Sequence, residues 1–329
     1  MAVTVREAGA TSENFAASTA GAASKAMPDP RFARPDCLFF GIGSEKCGTS
    51  WLNQFLSGHP EVHVPRYQKE LHYWSSGHRG KKIPWLLEKQ MPRGPVMSFW
   101  GSVLRPGRNL RRFRRNLFLQ KWWKAFTVPS PTHSIYCDVL FTGYRKEKVA
   151  GEITPAYARC TAGTFAEMAA LAPDVRFIFI MRDPVARLWS GCRHRLRIEL
   201  GQQNTTTQAV SDRVLSSLAE SETGPLRLSS YNRTIQTLES VVAAERIAYF
   251  FYETLFQQSE IERLCAFLDV ESPAAIDKAV HVGADASGEM PPEVARKARE
   301  ALAPTNDFCR AKFGTLPPEW QDKTVVGDA

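Results

Sequence analysis

The sequence predicts an α/β fold of three layers, a central parallel β-sheet covered by helices on both faces, with a helical basic insert on one side. Two observations carry this. From Asp36 onward short apolar runs alternate with longer helix-like segments, and a strand buried on both faces reads as a near-continuous apolar run. The first such run leads directly into a glycine-rich turn, Gly41-Ile42-Gly43-Ser44-Glu45-Lys46-Cys47-Gly48-Thr49-Ser50-Trp51. In open parallel sheets, ligands bind beyond the carboxyl ends of the strands, where this turn would lie.

The elements follow in chain order. Residues 1–30 are rich in Ala, Ser, Thr and Gly and close on Pro28-Asp29-Pro30; they are expected to be a disordered tail before a single domain over 31–329. Residues 37–42 read as a buried strand and 49–56 as the helix after it. Residues of about 75–145 form the insert. Within it, 105–124 carries eight basic and no acidic residues. Leu110, Phe113, Leu117 and Leu119, Trp122 or Phe126 recur there near helical spacing, which predicts an amphipathic basic helix. The strongest strand is Val175-Arg176-Phe177-Ile178-Phe179-Ile180. A helix over 184–200 follows, with Pro184 in its first turn. A helix over 231–243, a strand over 246–252 and a helix over 254–268 complete the alternation.

The chain has 329 residues and a formal net charge of +8, from 42 Lys+Arg against 34 Asp+Glu. Between Ser75 and Ala150 there are 16 basic and 3 acidic residues, so the remainder carries 26 basic against 31 acidic. The surplus is a property of one segment and matches no base-reading module, so no nucleic-acid partner is expected. Hydrophobic residues make up 43%, which excludes wholesale disorder. Seven cysteines without a C-x-x-C pair suggest reduced, buried thiols and a cytoplasmic protein. Neither a secretory leader nor a run long enough for a membrane span is evident.

The turn at 41–51 is a phosphate loop of unusual form. Gly43 and Gly48 have the spacing of a nucleotide triphosphatase loop, but the lysine is Lys46, ahead of the second glycine, and Thr49 stands where that lysine would be. Backbone amides of 47–50 at a helix start converge on an anion. A second phosphate site is suggested by Met181-Arg182-Asp183-Pro184, where Arg182 leaves the end of a strand and Ser190 lies about two turns along the next helix.

Lys46-Cys47-Gly48-Thr49-Ser50 after a buried strand resembles the 5′-phosphosulfate loop of sulfotransferases that use 3′-phosphoadenosine 5′-phosphosulfate (PAPS). The Arg182…Ser190 block resembles the 3′-phosphate motif of the same family. Lys69-Glu70-Leu71-His72-Tyr73-Trp74 is similar to the Lys-Glu-x-His-Phe-Phe stretch of the glycan-modifying branch, exemplified by heparan sulfate sulfotransferases. Gly151-Glu152-Ile153-Thr154-Pro155-Ala156-Tyr157 resembles the Gly-Glu-Lys-Ser/Thr-Pro-x-Tyr element, with Ile153 in place of the lysine. Ser229-Ser230-Tyr231 and the strand ending at Glu253 look like the family's late block. The likeness spans about 36–320 and implies a P-loop-type fold.

The resemblance implies PAPS as donor, adenosine 3′,5′-bisphosphate as product, and no metal requirement. It implies cofactor contacts from Lys46, Cys47, Gly48, Thr49, Ser50, Trp51, Arg182, Ser190 and Tyr231. Lys46 would stabilise the leaving oxygen. Glu70 would be the general base on an acceptor hydroxyl, or less readily an amine, with His72 the alternative base. Trp51 either stacks on adenine or fills the core. Cys47 is either a low-pKa thiol at a helix start or a tolerated small residue. The basic helix faces an anionic acceptor such as a glycan, lies on an anionic membrane surface through 105–126 to reach a lipid-linked acceptor, or is a solvated face. The competing readings are a P-loop kinase, whose Gly-Lys-Thr/Ser is missing, and a non-catalytic nucleotide-binding or membrane-surface protein.

Overall fold

The computed structural model describes residues 26–75, 106–220, 224–274 and 289–320. One sheet holds β1 (Cys37–Gly43), β2 (Val62–His63), β3 (Val149–Ile153), β4 (Val175–Met181) and β5 (Ile247–Phe251). Their order is β2-β3-β1-β4-β5, parallel throughout. Side chains alternate between the faces. Leu38, Phe40 and Ile42 of β1 join Phe177, Phe179 and Met181 of β4 in one buried cluster, while Phe39 joins Ile178 and Ile180 in another. Burial of both faces is the physical reason these strands read as unbroken apolar runs.

The helices are α1 (Thr49–Gly58), α2 (Pro106–Thr127), α3 (Ser134–Leu140), α4 (Ala162–Ala169), α5 (Pro184–Leu200), α6 (Thr207–Ala219), α7 (Gly224–Ser229), α8 (Tyr231–Glu239), α9 (Gln258–Leu268) and α10 (Pro292–Phe313). On one face α1 and α9 bury Leu52, Leu56, Leu264 and Leu268. On the other, α2, α3, α4 and α8 bury Trp122, Tyr136, Phe165 and Ile235. A third cluster joins α5, α6 and α10 through Leu188, Val214 and Leu302. The expected three-layer architecture is present, and α5 has the predicted limits.

Several boundaries differ from expectation. β3 was hidden in the sequence because a glutamate interrupts its apolar run. α8 stops at Glu239, before a 3-10 turn over Ala244–Arg246. α9 starts at Gln258, after a turn that reverses the chain below β5. Contacts with the fold start ahead of residue 31: the Asp29 amide donates to Thr132 O at 2.8 Å, and its carboxylate pairs with Arg31 at 2.7 Å. The rest of the expected tail, 1–25, lies outside the described residues, as does 76–105 of the insert.

The basic helix forms as α2, turned differently from the apolar spacing read in sequence. Phe118, Leu119, Trp122, Ala125 and Phe126 face the core, whereas Phe113 and Leu117 are 37% and 43% exposed. At 100° per residue, Phe113 stands about 180° and Leu117 about 140° from the centre of the buried stripe, on the opposite side of the helix. They share the solvent side with Arg114, Lys121 and Lys124.

Candidate functional site

β1 is central, with β3 on one side and β4 on the other, so the strand order departs from it in both directions and leaves a crevice past its carboxyl end. The phosphate loop crosses that crevice. Ser44 ties it down: its amide donates to Ile180 O at 2.7 Å and its hydroxyl to Leu228 O at 2.8 Å. Arg187, 1% exposed, holds the next residue, with Nε donating to Glu45 O at 2.9 Å and Nη1 to Ser229 Oγ at 3.2 Å and to Pro225 O. The loop ends on Gly48 at φ 86°, the N-cap of α1. A Cβ there would strain a left-handed backbone and stand 3.0 Å from the Tyr252 ring. No side chain caps α1, so its first amides lack an intrahelical acceptor and the helix start suits an anion.

Each loop residue has a definite place. Lys46 sits in the turn at φ 71°. Cys47 is fully buried, its Sγ 3.7 Å from the Tyr231 hydroxyl, and burial pushes the thiol up to about 11. That argues against a reactive thiolate. Thr49 Oγ1 and Ser50 Oγ each accept from Lys69 Nζ at 3.3 Å. Trp51 stacks on Phe55 at 5.3 Å and meets Phe256 edge-on at 5.3 Å. Phe256 touches Tyr252, and the Arg182 guanidinium lies 4.9 Å over the Tyr252 ring. Half-buried Trp51 therefore belongs to an aromatic row that runs to Arg182.

The end of β4 is built around a helix cap. Asp183 accepts from the Val185 and Ala186 amides at 3.3 and 3.2 Å, and Pro184 opens α5. The Asp183 amide donates to Glu253 Oε1 at 2.8 Å. Ser190 follows on α5, 6% exposed. Tyr231 is fully buried behind both loops; its hydroxyl donates to Arg182 O at 2.8 Å and accepts from Arg182 N at 3.3 Å. It ties the two phosphate motifs together from behind.

Across the crevice lies the segment 69–75. Lys69 Nζ reaches Glu70 Oε1 at 3.2 Å, and His72 Nε2 reaches Glu70 Oε2 at 3.3 Å. Burial pushes the Glu70 carboxyl up, but His72 and Lys69 outweigh it and hold the group below the usual carboxylate range. A cleft of about 600 Å³ opens between α1 and residues 65–70, with Asn53, Ser57, Arg66 and Gln68 in its wall beside Lys69 and Glu70. It gives Glu70 an approach from solvent, and its lining residue Tyr67 packs on Phe118 of α2. Ile153, at the position of the family lysine, is fully buried and packs where a Cβ on Gly41 would come within 2.7 Å of it.

Two residues went unassigned in the sequence. Arg187 anchors the loop, and His194, half-buried on α5, feels the charges of Lys46 and Glu70; burial lowers its pKa first, and Lys46 lowers it further. Both follow from spacing, since 187, 190 and 194 recur on one face of α5. Among the described residues no group of three or more His, Cys, Asp or Glu is placed to hold a metal ion. No described helix is long and apolar enough to cross a membrane.

The family model described as "Sulfotransferase family" matches residues 39–274. The crystal structure of a sulfotransferase from Alicyclobacillus acidocaldarius superposes with a TM-score of 0.59 at 21% identity, covering 88% of this chain and all of the other. The sulfotransferase domain of the Synechococcus PCC 7002 olefin synthase gives 0.50 at 19% identity, covering 89% and 100%. Both likenesses are of fold. A search of curated protein sequences finds no match.

Proposed function

The chain belongs to the sulfotransferase family, and from that membership we propose that it transfers a sulfuryl group from PAPS to an acceptor hydroxyl, releasing adenosine 3′,5′-bisphosphate. The observation that carries the assignment of roles is the Lys69 ammonium, which joins Thr49 and Ser50 of the phosphate loop to Glu70. It sets a carboxylate at the edge of an uncapped helix start. Glu70 takes the acceptor proton, and its ionised form at neutral pH suits a base. His72 orients it. Lys46 and the amides of 47–50 stabilise the charge that develops on the leaving oxygen. Arg182 and Ser190 hold the 3′-phosphate, and the row from Trp51 to Tyr252 offers the adenine a face. Tyr231 acts from behind as a strut.

The Lys69-to-Trp74 stretch favours the branch exemplified by heparan sulfate sulfotransferases, with a glycan or lipid-linked acceptor entering by the cleft beside Glu70. The solvent face of α2 adds cations that draw an anionic acceptor, or the inner surface of a membrane, toward a cytoplasmic enzyme. Liposome flotation with and without anionic lipid separates those two.

Adenosine 3′,5′-bisphosphate is expected to raise the melting temperature; no shift at millimolar ligand would refute the donor assignment. A PAPS-dependent screen over glycans, lipids and alcohols, read by mass spectrometry, identifies the acceptor. Because lysine and arginine supply the positive charge, transfer is expected to survive EDTA. A strict need for Mg²⁺ and ATP would point to a kinase instead.

A further inference from the structure

Glu152, in the middle of β3, is fully buried and makes four contacts, all from donors. Its Oε1 accepts from the Tyr136 hydroxyl at 2.5 Å and the Tyr157 hydroxyl at 2.9 Å. Its Oε2 accepts from Thr154 Oγ1 at 2.7 Å and from the Leu71 amide at 3.3 Å. Thr154 Oγ1 in turn accepts from the same Leu71 amide at 3.0 Å. Leu71 lies between Glu70 and His72. On its other side, Leu71 O accepts from Trp122 Nε1 at 2.8 Å. Farther on, the Trp74 amide reaches the Tyr157 hydroxyl at 3.5 Å, and the Tyr73 hydroxyl meets His133 Nδ1 at 2.9 Å.

An ionisable group in such a place is a costly stabiliser. Removing a carboxylate from water is costly, and packed apolar residues of similar volume commonly stabilise a fold as well or better. Burial pushes the Glu152 carboxyl up in spite of its four donors. What the carboxylate provides that an apolar side chain cannot is direction: Oε2 fixes the Leu71 amide, while the two tyrosines hold the other oxygen, Oε1, and with it the orientation of the carboxylate.

We infer that Glu152 and Thr154 are positioning residues for the acceptor side of the reaction, a buried clasp on the Leu71 amide that sets where Glu70 and His72 stand. The role assigned to Glu70 rests on the transferase reading; the clasp itself does not. It gives the Glu152-Ile153-Thr154 element a function independent of the family lysine. Alternation along β3 sends Glu152 and Ile153 to opposite faces, so Ile153 fills one core while Glu152 and Thr154 hold the strap over the other.

The test is Thr154→Val, which keeps the shape and removes both hydrogen bonds, against Thr154→Ser, which keeps them, with Glu152→Gln as a third variant. The readout is the titration of the Glu70 carboxyl, followed by ¹³C NMR of δ-labelled glutamate and assigned with Glu70→Gln. Glu70 faces Lys69 and His72 on its own segment, the hydroxyls of Thr49 and Ser50 through Lys69, and His194 across the crevice, which also feels Lys46. With the clasp opened, the pairing with His72 and Lys69 loosens, and the titration moves up toward the ordinary carboxylate range. Affinity for adenosine 3′,5′-bisphosphate stays within about twofold of wild type, a change of less than half a kcal/mol. Thr154→Ser titrates like wild type. A Glu70 titration unmoved in both Thr154→Val and Glu152→Gln overturns the inference, as does a Thr154→Ser variant as disturbed as Thr154→Val. If Glu152→Gln does not fold, the Thr154 pair decides. Wild-type protein that fails to bind the bisphosphate would strike the transferase reading alone, because the titration needs no donor.

Discussion

The wall proposed to hold the donor, Lys46 to Trp51 with Arg182 to Ser190, takes its shape from main-chain geometry and helix caps inside two compact motifs. The left-handed Gly48 and the Asp183 cap lie within the motifs they shape, and Arg187 of the second motif reaches across to Glu45 of the first. The acceptor wall, 69–75, has no regular secondary structure. It is held by side chains more than fifty residues away in sequence: Trp122, His133, Glu152, Thr154 and Tyr157. A donor common to a family can be held by a local motif, because its anionic groups ask for the same amides and cations each time. An acceptor wall held by distant core residues can be re-aimed by changing the core, without touching the chemistry of the loop.

The sharpest break of that comparison is at Lys46. Lys46→Ala is expected to lower PAPS-dependent turnover by about a hundredfold or more, the usual cost of losing one charge-stabilising group, while the product bisphosphate still raises the melting temperature. Glu70→Gln should lower turnover by a similar or somewhat smaller factor, on the order of a hundredfold, with affinity for the bisphosphate unchanged. The same loss in affinity at both positions would mean that the two walls are not separate. Arg187→Leu tests the donor wall structurally. It strands the Glu45 and Pro225 carbonyls and is expected to destabilise by about 2–3 kcal/mol in urea unfolding, with weaker bisphosphate binding.

A smaller effect separates two carboxyls by sign. Glu70 is held below the usual range, so its stabilising contribution is present above its ordinary pKa and is lost as pH falls through the lowered value. Glu152 is pushed up by burial, so its contribution is present below its ordinary pKa and is lost as pH rises through the raised value. Unfolding followed from acid to neutral pH should show Glu70→Gln costing stability at neutral pH and nothing in acid. A cost that persists in acid would contradict the pairing of Glu70 with His72 and Lys69. The smallest change is expected at Cys47. With its thiol pushed up to about 11, Cys47→Ser should keep turnover within a few-fold and iodoacetamide should label it slowly at neutral pH. Rapid labelling, or a loss as large as for Lys46→Ala, would restore a catalytic thiol.

The legibility of the two walls in sequence follows the same division. β1, β4 and α5 were readable because burial on both faces leaves an unbroken apolar signature and because Asp183-Pro184 marks a helix start. The loop was readable because an anion site at a helix start needs glycine at positive φ and a nearby lysine. β3 was not readable as a strand, since Glu152 breaks the apolar run, and its partners come from α3, the segment 69–75 and the turn after β3. α2 was legible as a helix but not in its rotation, because Phe113 and Leu117 continue the apolar spacing while the core chose the stripe through Phe118 and Trp122.

The sequence by itself determined the layered α/β architecture, the glycine-rich turn and the Arg-Asp-Pro helix start at the ends of β1 and β4, and the localisation of the positive charge, all properties set by residues near one another along the chain. Only the tertiary structure decided which groups stand together: Lys69 between Thr49 and Glu70, Tyr231 behind both loops, Arg187 beneath Glu45, and the clasp of Glu152 and Thr154 on Leu71. Those contacts depend on strand order and on the register of a parallel sheet, which local periodicity does not encode. A parallel strand pair is closed by a long crossover, and its partners are fixed when the whole sheet assembles.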